Sequence, residues 1–137
     1  MPRLTRWMIK TALVYLVLAL LTGILLGVRP VLGLDWVPAG LTPAYFHLYM
    51  VGWVSLLIFG VVYWMFPKYT QSKPRGSDGL GWAVYWLINA GLVLRVLGES
   101  QPQPGGLWGW VLAASAVLQW LAGRGFVLNT WQRVKEK

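Results

Sequence analysis

Cysteine is absent from the 137 residues. That removes disulfides, thiolate nucleophiles, iron–sulfur clusters and thiolate-bound zinc. Acidic residues are nearly as scarce, with four Asp and Glu against twelve Lys and Arg. Those four, Asp35, Asp78, Glu99 and Glu136, are expected in loops or tails. No carboxylate pair then lies inside an apolar span, which argues against proton pumping and against acid–base catalysis of the two-carboxylate kind. The basic segment after Pro67 lacks the spacing of a phosphate-binding loop. Histidine occurs once, at position 47. Charged residues make up only 12% of the chain, against about 25% in an ordinary soluble domain.

What fills the chain instead is apolar. Hydrophobic residues reach 57% and mean hydropathy is +0.56, values of the membrane class. Four stretches carry no charge: residues 11–28, 36–67, 79–94 and 100–123. A helix needs about 20 predominantly apolar residues to cross a bilayer core. The third stretch is short only because Arg95 interrupts it, and an arginine at a helix end can snorkel to the headgroups. The expectation is an all-α, integral membrane four-helix bundle forming a single transmembrane domain over 1–137. Its helices are expected at about 7–28, 43–66, 80–97 and 107–128. The first apolar run follows Arg3, Arg6 and Lys10 as a secretory signal would, but it is long for a signal core and has no convincing small-x-small cleavage site. It reads as a helix of the mature chain.

The punctuation between the runs is clear. Arg29-Pro30 is expected to end the first helix, because proline disfavours a helical residue before it. Thr42-Pro43 reads as the N-cap and first turn of the second helix, and Pro67 closes it. Residues 98–106, with Pro102, Pro104 and Gly105-Gly106, form another break. Ala19, Gly23 and Gly27 share one helix face in the small-xxx-small pattern, as do Gly109, Ala113 and Ala116.

The net charge of +8 would suggest nucleic acid in a soluble protein; between hydrophobic spans it reads as topology signals and contacts to anionic membrane lipids, with no nucleic acid partner. Ten Lys and Arg fall at the N-terminus, in the second loop and at the C-terminus, against Arg29 and Arg95 at the other side. Both termini are therefore expected to be cytoplasmic, in a multi-pass protein of the cell inner (cytoplasmic) membrane. Trp7, Trp64, Trp82 and Trp131 mark one interface, and Trp36, Trp108 and Trp110 the other.

This topology puts His47 one turn below the outer surface, level with Gly23 and Gly27 and with Arg29 and Arg95. An unpaired polar ring in lipid is costly, so a lone intramembrane histidine has either structural or functional work. The structural reading is a hydrogen bond across the bundle, to a tyrosine, to Asn89 or to a backbone carbonyl. The functional reading is axial ligation of heme iron. The two heme propionates would emerge toward Arg29 and Arg95, whose planar forks suit carboxylates. Gly23, Gly27, Trp53 and Phe46 would help line a flat apolar slot.

The segment from His47 through Leu48, Tyr49, Met50, Val51, Gly52, Trp53 and Val54, with Phe59-Gly60, Tyr63 and Pro67 beyond it, resembles a known helix. It is similar to the second transmembrane helix of catalytic subunit I in the heme–copper oxidase and nitric-oxide reductase superfamily, over about residues 43–67. Most of the chain, including Arg6-Trp7-Met8-Ile9-Lys10-Thr11, resembles small four-helix membrane proteins of this type. The resemblance implies that His47 is an axial ligand of heme b. Relatives often carry a second histidine where this chain has Tyr45, and the histidines for a second heme and for copper lie on later helices. No stand-alone catalytic activity is therefore expected.

Met50 lies one turn from His47 on the same helix and cannot reach the opposite face of the same heme, and Met8 and Met65 lie at the far end. The sixth position would stay open or come from His47 of a second copy, in a homodimer or larger homo-oligomer. The expected role is electron transport, heme handling or gas sensing. The alternative is a heme-free accessory or assembly subunit of a respiratory oxidase or nitric-oxide reductase complex. A small transporter ranks third, because four helices without an internal repeat offer little substrate pathway.

Overall fold

A backbone in lipid must satisfy its own polar groups, and for long apolar runs the local solution is the helix. The computed structural model of the chain describes residues 1–72, 74–101 and 105–134. Four helices in it are long and apolar enough to cross a membrane: α1 (Arg3–Leu32), α2 (Leu41–Met65), α3 (Asp78–Glu99) and α4 (Leu107–Thr130). A short 3-10 turn, Trp131–Arg133, continues α4. Among the described residues there is no strand. The all-α reading with four spans holds, and the chain is a multi-pass membrane protein. Lys73, Pro102, Pro104, Lys135, Glu136 and Lys137, used above for topology and loop boundaries, lie outside the described residues.

Several boundaries differ from expectation. Arg29-Pro30 does not end α1, which continues to Leu32 with Pro30 inside its last turn. The stop is Gly33, in the left-handed conformation at φ 61°, whose N–H and that of Leu34 both donate to the Arg29 carbonyl. Thr42 is not the N-cap of α2. The helix starts one residue earlier, at Leu41, with Gly40 before it and no side-chain cap. The N–H groups of Leu41 and Thr42 instead reach the carbonyls of Pro38 and Ala39 at 3.2 Å each, so the preceding turn does the capping. At the start of α3, by contrast, the Ser77 hydroxyl accepts from the Leu80 N–H at 3.2 Å. Glu99 is not in a loop: Gly98 does not break α3, and Glu99 is its last residue.

The largest departure lies inside α2. Leu48–Ser55 is π-helical, between α-helical segments Leu41–His47 and Leu56–Met65. The wider i→i+5 turn is echoed by the Ser55 hydroxyl, which donates to the Met50 carbonyl at 2.9 Å. Such stretches are rare and frequently sit at functional sites. Here it begins at the residue after His47.

Consecutive helices run antiparallel. A methyl added at Gly52 would meet Leu92 and Tyr15 at 2.8 Å, so the π stretch is wedged between α1 and α3 with no room for a side chain. Lower down, Met8, Leu56, Tyr63, Val84 and Ile88 form the main buried cluster. The Thr11–Tyr85 hydroxyl pair (2.9 Å) and the Tyr15 hydroxyl on Asn89 Oδ1 (2.7 Å) add a polar seam between α1 and α3. Asn89 is thus interhelical glue, as expected. α4 packs along α3 and reaches α2 through the stacked rings of Phe59 and Phe126, 3.9 Å apart. α1 does not approach α4, so the bundle is open along that edge.

The small-residue faces behave differently from each other. Ala19 is fully buried and Gly23 lies against the Tyr45 ring, but Gly27 has open space around it. On α4, Gly109 also faces open space, and Ala113 and Ala116 are exposed.

The N-terminus of α1, the α2–α3 loop and the end of α4 gather at one end. Arg133, 1% exposed, donates to the carbonyls of Tyr63, Phe66 and Pro67 and so caps the C-terminus of α2. Tyr63 bonds Asp78, and Asn129 bonds the backbone of Ser77. His47 and Glu99 lie at the opposite end.

Candidate functional site

His47 closes the first α-helical segment of α2, one turn after Pro43. Its Nδ1 lies 2.9 Å from the Pro43 carbonyl oxygen and 3.1 Å from Oε2 of Glu99. Both neighbours are acceptors, and an unprotonated Nδ1 would set its lone pair against theirs. The acceptors therefore assign the proton to Nδ1. In the neutral ring that tautomer leaves the Nε2 lone pair free. The side chain is 31% exposed, so the ring is not sealed in the core.

Glu99 comes from the far end of α3 and is only 10% exposed. Two features hold it there. Gly40, just before α2, packs directly onto the Glu99 carbonyl, where a Cβ would collide with it. Arg95, one turn back on α3, places Nη1 3.9 Å from Oε1 of Glu99, an electrostatic contact too long for a hydrogen bond. The Arg95 Nε is buried without a hydrogen-bond partner. A buried, unpaired guanidinium N–H is costly, and it marks a donor with spare capacity for an anion.

The other expected site residues are arranged less closely. Arg29 lies in the last turn of α1, half-buried, and no hydrogen bond or ion pair joins it to His47 or Arg95. Gly23 makes the close approach expected of it, to Tyr45, whereas Gly27 makes none. Trp53 packs edge-on to Tyr49 at 4.8 Å, and Phe46 is 57% exposed and edge-on to Tyr45. The structure brings together His47, Glu99 and Arg95.

Glu99 was missed because Gly98 reads as a helix end. The signal was present in the i,i+4 spacing of Arg95 and Glu99, which carries a salt bridge only if the helix runs one residue past that glycine.

Among the described residues no three of His, Asp and Glu converge into a multidentate cage for a bare metal ion. A porphyrin brings four nitrogens of its own and asks the protein for an axial ligand. The donor set fits that demand. A ligating histidine ordinarily donates its other ring N–H to a carboxylate or backbone carbonyl, and the Nδ1 of His47 has one of each.

A four-span, all-helical membrane protein with a histidine so oriented near one bundle end defines the broad class. The particular family follows from comparison: residues 2–101 match the model of the family described as Cytochrome C and Quinol oxidase polypeptide I, and the chain belongs to that family. The match takes in α1, α2 and α3 and ends just beyond Glu99, leaving α4 outside it. No curated protein and no solved structure matches the chain. The protein is an oxidase subunit I-like membrane protein whose helices contact lipid.

Proposed function

We propose that this chain binds a b-type heme through Nε2 of His47 and serves electron transfer, heme handling or gas sensing in a cytoplasmic membrane, with both termini on the cytoplasmic side. The observation that carries this reading is the pair of acceptors on Nδ1, which pins the ring and leaves Nε2 as its coordinating atom. Glu99 orients the imidazole and fixes its tautomer. Arg95, with its spare Nε, and Arg29, with no ion pair among the described residues, are the cations available for propionates. Gly23, Gly27, Trp53 and Phe46 are assigned to the porphyrin's surroundings. When bound, the heme supplies one-electron redox chemistry and a site for diatomic gases.

One histidine provides one axial bond. The other face of the iron is left open or is met by His47 of a second copy of the chain. Residues for a second heme or for copper are lacking, so stand-alone oxygen or nitric oxide reduction forms no part of the proposal.

A second reading has its own support. The same two hydrogen bonds satisfy His47 from within the chain, as they would in a heme-free accessory or assembly subunit of a respiratory complex. Absorption spectra of the detergent-solubilised protein, expressed with heme precursor, separate the two. A Soret band lost in His47→Ala establishes ligation. Colourless protein supports the accessory reading, and a band that survives His47→Ala refutes the assignment of the ligand.

A further inference from the structure

We propose that the α1 face bearing Arg3, Arg6 and Lys10, with the crevice it borders against α3 at the end where α1 begins and α4 finishes, is a binding site for an anionic glycerophospholipid. Arg3, Arg6 and Lys10 hold the phosphate, and the acyl chains run along α1 from Val14 onward. On α1 these cations share a face with Trp7, Thr11 and Val14, spaced three, four and seven apart, and together they line a groove of about 490 Å³. A second cavity of about 220 Å³ adjoins it through Arg3 and Trp7, and its far wall is Trp82, Tyr85 and Trp86 of α3. The Thr11–Tyr85 hydrogen bond ties the two helices together beneath the crevice.

The charges define the ligand. Arg3, Arg6 and Lys10 are exposed and form no ion pair among the described residues. Among the described residues no acid serves them: Asp78 bonds Tyr63, Asp35 lies in the α1–α2 loop, and Glu99 lies at the opposite end with His47. Three clustered cations with no acidic partner among the described residues suit an external anion, and basic pockets between helices are suited to anionic headgroups. The indoles of Trp7 and Trp86, 50% and 64% exposed, stand where a headgroup meets its acyl chains. Beyond Lys10 the same helix exposes Val14, Val17, Leu18 and Leu21. Polarity therefore falls from cationic to apolar along α1, as it does along a phospholipid. A free phosphate would engage only the first part of that gradient.

The test is native mass spectrometry of the full chain in detergent, titrated separately with dioleoyl phosphatidylglycerol, dioleoyl phosphatidylcholine and inorganic phosphate. The wild type should bind phosphatidylglycerol in preference to phosphatidylcholine. Arg6→Gln with Lys10→Gln should weaken phosphatidylglycerol binding about 25-fold, or about fivefold per cation. Lys68→Gln with Arg75→Gln, in the α2–α3 loop at the same end, should change it by less than about twofold, because those charges lie outside the groove. Both substitution pairs are at exposed or half-exposed positions, so folding is not at stake. Equal binding by the R6Q/K10Q protein overturns the site. An equal loss in K68Q/R75Q shows diffuse attraction and overturns it too. Full displacement by inorganic phosphate overturns the lipid as occupant.

Discussion

Oε2 of Glu99 lies 3.1 Å from Nδ1 of His47, across 52 residues of sequence and between two different helices. It is the carboxylate's contact with the one histidine, and Arg95 stands on its other side. Replacing it should loosen whatever the imidazole holds. If His47 ligates heme as proposed, Glu99→Gln weakens its retention by about 10- to 100-fold, the usual cost of losing a partner to a ligating histidine. The midpoint potential should rise, because a less electron-rich imidazole stabilises the oxidised iron less. A tenfold greater weakening of the oxidised form corresponds to about 59 mV for one electron. Spectroscopic redox titration reads both effects, and an unchanged potential would remove Glu99 from the site.

Gly40 should be as sensitive as Glu99 although it bears no side chain. Any Cβ there collides with the Glu99 carbonyl, so Gly40→Ala must push the start of α2 away from the end of α3. Overpacking of this kind typically costs about 1–3 kcal/mol. Thermal unfolding in detergent should show the loss, accompanied by weaker heme retention. A Gly33→Ala control would strain the left-handed cap of α1 without touching Glu99.

Arg95→Leu removes the cation with the buried, unpaired Nε and leaves Glu99 near His47. If Arg95 holds a propionate, heme retention should fall by about tenfold, one charge-assisted hydrogen bond's worth. Retention equal to wild type would assign Arg95 to Glu99 alone.

Arg133 works at the other end. Its three hydrogen bonds to the carbonyls of Tyr63, Phe66 and Pro67 close the last turn of α2 from inside the protein. Arg133→Ala should destabilise the fold by about 2–4 kcal/mol, since hydrogen bonds to charged groups contribute about 1.5–3 kcal/mol each and do not add fully. Any heme spectrum should persist in the folded fraction, because the substitution lies far from His47 along α2.

Tyr15 and Asn89 offer a test of the polar seam. A double-mutant cycle with Tyr15→Phe and Asn89→Leu should give a coupling of about 0.6 kcal/mol, the average for hydrogen bonds between membrane helices. A coupling near zero would mean that the seam adds nothing beyond packing.

The four spans were legible because lipid permits few solutions: runs without charge, ended by Pro, Gly and basic residues, leave little choice. His47 stood out as the lone imidazole in such a run. Its partner did not, because Glu99 follows a glycine that local rules read as a stop, and its close contact with Gly40 is tertiary. Pro30 misled for the converse reason. Proline forfeits one hydrogen bond, and the chain absorbed that loss within the final turn of α1 before Gly33 ended it. The π-helical stretch had no local signature. Leu48–Ser55 contains the same apolar residues as its flanks, and the wider winding shows only where Gly52 is wedged between Tyr15 and Leu92.

That stretch lies between two separately anchored ends of α2. Below it, the Tyr63 end of α2 is locked by Arg133, and above it the aim of the imidazole is set by Glu99. An uninterrupted α-helix advances about 100° per residue and would let one anchorage dictate the azimuth of the other. The looser winding absorbs the difference, so both ends keep their own bearings. Excising one residue from Leu48–Ser55 should tighten the stretch toward ordinary α-helical winding and keep the two anchored ends near their present phase. The same excision from Leu56–Met65 should swing the imidazole about 100° away from its carboxylate.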